Sequence, residues 1–493
     1  MRTFGVIVMA LLGGACIALA QETDSAPTDS VPWAVRGGTL IDGTGAPPVP
    51  NSVVTGVGER ITCAGSAQVC AVPAGAATVD ATGKWLIPGL IDTHVHLYFN
   101  STGGHDQLHR FVLGITATRE AGTPDQFERT VSRKKQAEAE TSPEPRLVVS
   151  GLISPDEMER FHLTKLSDMV EKLASLGADA IKYKFKHSPE ELDAIISTAH
   201  ALNLPVWGHA AASGVKESLD AGIDGLPHLW TFPGSALRAG ANRPPMPPGA
   251  DYWVWESEAW NYLDDARLNA ITDEAIARRV WIEPNLVYEK YLTLPFPVPA
   301  DEAHLTGVPS LRNFVRPWIP IGEQSRIAQR ARQRRLAVVF ERQCRFVKDF
   351  HDRGGIVLAG SDTSEPGLSL IEELRLMTEC GLSPMAALQA STKHAALAIR
   401  RPALGTVEPG KIADIVLLDA NPLSDTTNLR RVWRVMKGGH VYDPAALIAG
   451  TVESYRQDLL EARVVRAAAA GVLILCGAWA ILICRRLMVS WRS

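Results

Sequence analysis

The sequence predicts an α/β fold: a (β/α)8 barrel, flanked by a small β-sandwich made from N- and C-terminal segments, plus one C-terminal transmembrane helix. Three observations predict it. From about residue 85 to residue 400, short β-like runs recur with helical patterns between them, as parallel βαβ units require. Polar residues gather at the C-terminal ends of those runs, where barrels build their active sites; a doubly wound sheet would accommodate the alternation but not that clustering so well. Strand patterns punctuated by Gly and Pro lie on both sides of this region, and an unbroken apolar run lies near the C-terminus.

The elements follow in chain order. Arg2 precedes an apolar run over 4–20 that closes on Ala18-Leu19-Ala20, the small-residue pattern of a cleavage site, so residues 1–20 read as a signal peptide, with an uncleaved anchor as the alternative. A Ser-, Pro- and Asp-rich linker covers 21–32. Strand patterns at 37–41, 52–57 and 60–63, and again at 411–419 and 434–442, are expected to pair as one composite β-sandwich from 33–84 and 405–445. The barrel is expected over 85–404, with strands at 85–96, 115–120, 146–150, 180–185, 206–209, 225–229, 280–284 and 356–362.

Two stretches exceed that template, near 230–268 and 288–335, and are expected to cap the barrel mouth. Trp253, Trp255 and Trp260 then either contact substrate or only pack. The apolar run 467–484, between Arg466 and Arg485, is long enough to cross a bilayer. With the N-terminus exported, that span would anchor an extracytoplasmic, periplasmic-side domain in the cytoplasmic membrane.

Composition narrows the function. The 493 residues carry 50 basic against 54 acidic side chains with no long run of one sign, which points away from a nucleic-acid partner and towards a small-molecule or dipeptide-like substrate. Of seven cysteines, Cys63, Cys70, Cys344 and Cys380 lie outside the hydrophobic end segments and form no Cys-x-x-Cys pair. Cys63 and Cys70 sit close enough in a β-like stretch to close a small loop in an oxidising compartment, although connectivity is not readable from sequence.

The chemistry begins at Asp92-Thr93-His94-Val95-His96, where period-two geometry points both histidines to one face at the end of a strand. Such a pair is either a metal-binding couple or a chance surface pair. In Ala180-Ile181-Lys182-Tyr183-Lys184-Phe185 the apolar residues share one face, so Lys182 and Lys184 point inward together. Each is then a lysine snorkelling at the mouth or a buried amine of depressed pKa, able to take up carbon dioxide as a carbamate. His209 and His228 end two later strands and offer a neutral imidazole each. Asp362 supplies a carboxylate at the last strand end, able to ligate metal and move a proton.

Pro88-Gly89-Leu90-Ile91-Asp92-Thr93-His94-Val95-His96 and Leu404-Gly405-Thr406-Val407-Glu408-Pro409-Gly410-Lys411-Ile412-Ala413-Asp414-Ile415-Val416 resemble the two end signatures of the metal-dependent amidohydrolase superfamily. The likeness runs from about Val35 to Tyr442. Gly114-Ile115-Thr116-Ala117-Thr118-Arg119-Glu120-Ala121-Gly122 and Gly177-Ala178-Asp179-Ala180-Ile181-Lys182 are most similar to its imidazolonepropionase-like branch, which includes Xaa-Pro dipeptidases.

This resemblance implies a binuclear centre of two divalent ions, with zinc the expected metal. His94 and His96 would hold one ion, His209 and His228 the other, and Lys182 would bridge them as a carbamate. Asp362 would serve as ligand and base. The implied reaction is hydrolysis of amide-type C–N bonds in peptide-like, N-acyl or cyclic amides by a hydroxide shared between the ions. Deamination, lactone or phosphoester hydrolysis, or a non-catalytic binding barrel are the alternatives on this fold, and a homo-oligomer is left open.

The chain departs from the branch after the third strand, where Gly151-Leu152-Ile153-Ser154-Pro155 replaces a Gly-Gly-His loop, and at Ala211, where a second histidine is common. His187, His200, His351 and His394 read as structural.

Overall fold

The computed structural model describes residues 31–97, 106–139, 141–241, 243–246, 252–291, 323–363 and 366–450. The N-terminal strands β1 (Pro32–Arg36), β3 (Ser52–Val57), β4 (Arg60–Ser66) and β5 (Ala77–Asp80) form a four-stranded sheet in the order β4-β3-β1-β5. The short β2 (Thr39–Leu40) instead joins β6 (Trp85–Pro88) in a second sheet. That sheet is completed from the far end of the chain by β14 (Ile415–Leu418), β15 (Val432–Lys437) and β16 (His440–Tyr442), in the order β16-β15-β14-β6-β2.

Side-chain alternation explains why this second sheet is a middle layer. Ile415 and Leu417 of β14 pack with Trp33, Val35, Val54 and Leu86 in the flanking core. Val416 and Leu418 face the other way, into the main barrel core with Ile87. A strand buried on both faces is apolar at every position, and Ile-Val-Leu-Leu is.

The barrel strands are β7 (Leu90–Val95), β8 (Ile115–Glu120), β9 (Arg146–Ile153), β10 (Ala180–Tyr183), β11 (Val206–Gly208), β12 (Gly225–Pro227) and β13 (Trp281–Glu283), parallel neighbours in sequence order. The run expected at 85–96 is thus divided at Gly89 between two sheets. The eighth run, 356–362, closes the ring without forming a regular strand. Ile282 N–H donates to Ile356 O (3.0 Å) and Leu358 N–H to Ile282 O (2.9 Å) on one side, while Thr93 N–H donates to Ala359 O (3.1 Å) and Asp362 N–H to His94 O (2.8 Å) on the other. Gly360 permits this close approach, since a Cβ there would lie 2.6 Å from His94 Cβ.

Helices cover the outside, and Pro189–Ala201 shows why they form. Ser188 caps its first turn in a reciprocal capping box with Glu191, with Pro189 as the first helical residue. Leu192, Ile195, Ile196 and Ala199 then make one buried stripe against the barrel. Two disulfides are present among the described residues, Cys63–Cys70 and Cys344–Cys380. Over the mouth, buried Glu289 accepts hydrogen bonds from Ser257 Oγ (2.8 Å), Gln343 Nε2 (3.0 Å) and Trp230 N–H (3.3 Å), tying the first insert to the helices either side of the second. Trp260 is wholly buried and packs against Phe346, with its indole N–H on Leu229 O (3.0 Å).

The expectation of a C-terminal transmembrane helix is corrected. No helix among the described residues is long and apolar enough to cross a membrane. The longest, Glu323–Asp352, has the length but is studded with Arg, Lys, Glu and Asp, whose transfer into hydrocarbon is costly. The run 467–484 and the signal-peptide and linker segments within 1–30 lie outside the described residues. Membrane anchorage, a membrane partner and a periplasmic-side location tied to that anchor are therefore withdrawn.

Candidate metal centre

Strand register explains the placement of the site. On β10, Tyr183 points outward, its hydroxyl donating to Ser218 Oγ (2.8 Å) among the barrel–helix core residues, so Lys182 points into the lumen. Gly122 at the end of β8 makes room for it, as a Cβ there would lie 3.5 Å from Lys182 Cβ and 3.2 Å from that of Leu152. Lys182 is wholly buried, and its Nζ has no hydrogen-bond partner among the described residues. Burial first, then the charges of Arg119 and Lys184, push its amine well below the ordinary lysine range.

Around it stand the other residues singled out above. Ligand atoms of His94, His228 and Asp362 lie within 4.8 Å of one another. His94 Nε2 is 3.8 Å and His96 Nε2 3.4 Å from Asp362 Oδ1, and His228 Nε2 is 3.6 Å from Asp362 Oδ2. The ring of His209 lies 4.9 Å from that of His228. Burial is the first cause holding His94, His209 and His228 well below the imidazole range, with neighbouring cations adding to it. This favours the neutral form, the one in which imidazole binds a cation.

Two of these residues adopt costly backbone conformations. His228 and Asp362 sit at φ of 64° and 44°, in the left-handed region, at a typical cost of about 1–3 kcal/mol each. Hydrogen bonds hold them there: His228 N–H to Glu283 O (2.8 Å) and Asn285 Oδ1 (3.2 Å), Asp362 N–H to His94 O.

A supporting shell escaped the sequence reading. Glu283 ends β13 fully buried, and its Oε2 accepts from His94 Nδ1 (2.7 Å) and Arg119 Nη2 (3.1 Å), while Thr93 Oγ1 donates to Oε1. With Nδ1 engaged, His94 presents Nε2 to the lumen, the arrangement that orients a ligating histidine. Arg119 also donates to Ser150 Oγ (3.1 Å) and stacks over Trp207 at 4.1 Å. His96 Nδ1 is 3.0 Å from Thr123 Oγ1. Against burial, which raises it, hydrogen bonds from His96, Thr123 and Gly122 hold Glu120 below its usual range. Asp92 accepts from Ser361 Oγ (2.6 Å) and N–H (2.9 Å) and is pushed up to about 6 by burial. Trp230 stacks on His228 at 4.8 Å and meets His209 edge-on at 4.8 Å. A signal for Glu283 existed: a carboxylate at the C-terminal end of an apolar barrel strand.

The donors fit a cation. Neutral imidazoles and a carboxylate converge, and buried polar atoms, His94 Nε2 and Lys182 Nζ among them, are aimed inward without hydrogen-bond partners among the described residues.

Residues 85–442 match the amidohydrolase family, and the chain belongs to that family of metal-dependent hydrolases. It is 24% identical over 375 residues to imidazolonepropionase of Mycolicibacterium smegmatis, covering 71% of this chain and 80% of that protein. With imidazolonepropionase of Caulobacter vibrioides it shares 39% identity over 67 residues, 14% of this chain and only 16% of that relative's length. Among solved structures, a Xaa-Pro dipeptidase with bound methionine superposes with a TM-score of 0.62 at 18% identity, over 84% of this chain and all of that one. At that identity the likeness speaks to the fold.

Proposed function

We propose that this protein hydrolyses amide-type C–N bonds of small molecules at a binuclear divalent-metal centre, with zinc as the metal. His94 and His96 would hold one ion and His209 and His228 the other, with Lys182, as a carbamate, and Asp362 as further ligands, Asp362 also serving as base. The barrel spans 85–404, with the insert near 230–268 as its cap; of the insert near 288–335, residues 292–322 lie outside the described residues. The observation that carries this reading is the convergence of His94, His228 and Asp362 beside a wholly buried lysine without a hydrogen-bond partner among the described residues.

When bound, the ions supply an activated water and a Lewis acid for the scissile carbonyl. The chain does the rest. Burial lowers the Lys182 amine, which favours the neutral form whose lone pair would add to carbon dioxide: an N–C bond would form as one C–O π bond opens, and a proton would leave to solvent. Glu283 fixes His94, and Arg119 and Thr93 fix Glu283. Burial raises Asp362, which strengthens it as a proton acceptor from water; the proton it takes up would then pass to the leaving nitrogen. Trp230 and the hydrogen-bonded insert around Glu289 exclude bulk water from one side of the pocket.

The test is metal content per chain by elemental analysis, in the parent and in Lys182→Ala, with hydrolysis of dipeptides and N-acyl amino acids measured alongside. Two equivalents in the parent, a clear loss in the variant and metal-dependent turnover are expected. No bound metal after supplementation would overturn the reading.

A further inference from the structure

We infer that Asn285 is a positioning residue of this centre: its side-chain amide braces the two strand ends that carry His228 and Asp362 and sets how those ligands face one another. What the two ends receive rests on the hydrolase reading above, whereas the brace exists in the protein without metal.

Three neighbouring strand ends meet here. β13 lies between β12 and the eighth run. Each of the three leaves the barrel through a left-handed residue, His228 at φ 64°, Asn285 at 50° and Asp362 at 44°. Such conformations persist where the surrounding structure over-determines them. Asn285 contributes to that on both sides. Its Oδ1 accepts from His228 N–H (3.2 Å), and its Nδ2 donates to Gly360 O (2.8 Å), two residues before Asp362. One partner is a backbone donor and the other a backbone acceptor, so the amide can face only one way. An ionised carboxylate of the same size lacks the donor, and an aliphatic side chain lacks both groups.

Both ends of the brace are themselves fixed. Asn285 is wholly buried, and Glu373 accepts from the next two N–H groups, Leu286 (2.9 Å) and Val287 (2.7 Å), which pins the start of the helix Leu286–Tyr291 against the helix Leu368–Glu379. Gly360 is wedged against the site, since a Cβ there would lie 2.6 Å from His94 Cβ and 2.8 Å from Glu283 Oε1. A shift of its carbonyl is therefore felt at His94 as well as at Asp362. The backbone bonds His228 N–H to Glu283 O and Asp362 N–H to His94 O each hold one end, and the amide of Asn285 joins the two. The ligand atoms it spaces, His228 Nε2 and Asp362 Oδ2, stand 3.6 Å apart, close enough to meet at one cation.

The experiment compares Asn285→Gly with the parent, because glycine accepts the left-handed backbone and removes only the amide. Asn51→Gly, the same change at an exposed left-handed asparagine (φ 48°) beside β3, is the control. In the metal-free full chain, hydrogen–deuterium exchange should rise roughly tenfold at 225–231 and 358–363 together in Asn285→Gly, with the other barrel strands unchanged. In chelator competition its zinc affinity should fall roughly 10–100-fold. Asn51→Gly should match the parent in both measurements. Zinc affinity equal to that of a zinc-binding parent, or exchange that rises at one segment only, at neither, or evenly around the barrel, overturns the assignment. A parent that binds no zinc, with exchange raised at both segments in Asn285→Gly, supports the brace and counts against the metal reading, so the two failures are separable.

Discussion

Two buried lysines occupy opposite ends of the barrel, and the contrast between them says which one is there for chemistry. Lys437, on β15 at the seam between the flanking sheet and the barrel, is 2% exposed, and its Nζ donates to the carbonyls of Ala137 (2.6 Å), Ser142 (3.1 Å) and Glu144 (2.7 Å). Lys182, at the mouth, is 0% exposed and donates to nothing among the described residues. Burial lowers both amines. One has its desolvation offset by three acceptors and clamps two layers together; the other bears the cost unrelieved, as a group kept for a ligand or a modification does.

The largest effect that would sharpen this contrast is on turnover. Lys182→Ala is expected to lower kcat/KM by at least about a hundredfold, with bound metal lost, whereas Lys437→Met should leave metal content per folded chain unchanged. Equal metal content in the parent and Lys182→Ala would break the comparison. Next comes Glu283→Gln. It keeps the shape but weakens the acceptor for His94 Nδ1 and strands the Arg119 charge, so metal affinity should fall roughly 10–100-fold in a chelator competition. An unchanged affinity would show that His94 needs no such partner.

How much of this was legible in the sequence depended on the range of the interaction. His94, His96, Lys182, His209 and His228 each end or follow an apolar run, a local pattern visible in a few residues, and the run 115–120 coincides with β8. Glu283 also ends such a run, but its meaning lies in His94, 189 positions away, and only barrel closure brings the two together. The eighth run reads as a strand because 356–362 is mostly apolar, yet its end turns into left-handed backbone to aim Asp362 inward, which periodicity does not encode. Lys437 lies in a stretch that reads as a strand and is one, but its clamp on the loop at 137–144 is tertiary. The hydropathy of 467–484 suggested a span, and nothing among the described residues supports it.

Stability gives the next test. In the metal-free protein, Lys182→Met removes a buried amine without a hydrogen-bond partner and should leave the denaturant midpoint unchanged or raised, by about 1 kcal/mol in unfolding free energy. Lys437→Met leaves three buried carbonyls without their donor and should lower stability by roughly 2 kcal/mol. If both variants were destabilised alike, Lys182 would be a structural lysine after all.

The smallest effect is the pH dependence at the seam. Burial first, then Arg146, push the Lys437 amine down to about 8, against the pull of Asp414, Glu144 and Glu138. In the unfolded chain it titrates near 10.5, so between these values the unfolded state holds more protons than the folded one. Stability therefore rises with pH across that window, by about 1 kcal/mol from about pH 8 to pH 9, and below about pH 8 this contribution is flat. In the metal-free protein that share of the rise should be missing from Lys437→Met and remain in Lys182→Met, since the substitution at the mouth leaves the seam intact. A parent curve in which this contribution stays flat over the same interval would mean that the three carbonyls hold Lys437 charged, and that the seam is an ammonium clamp stronger than its burial.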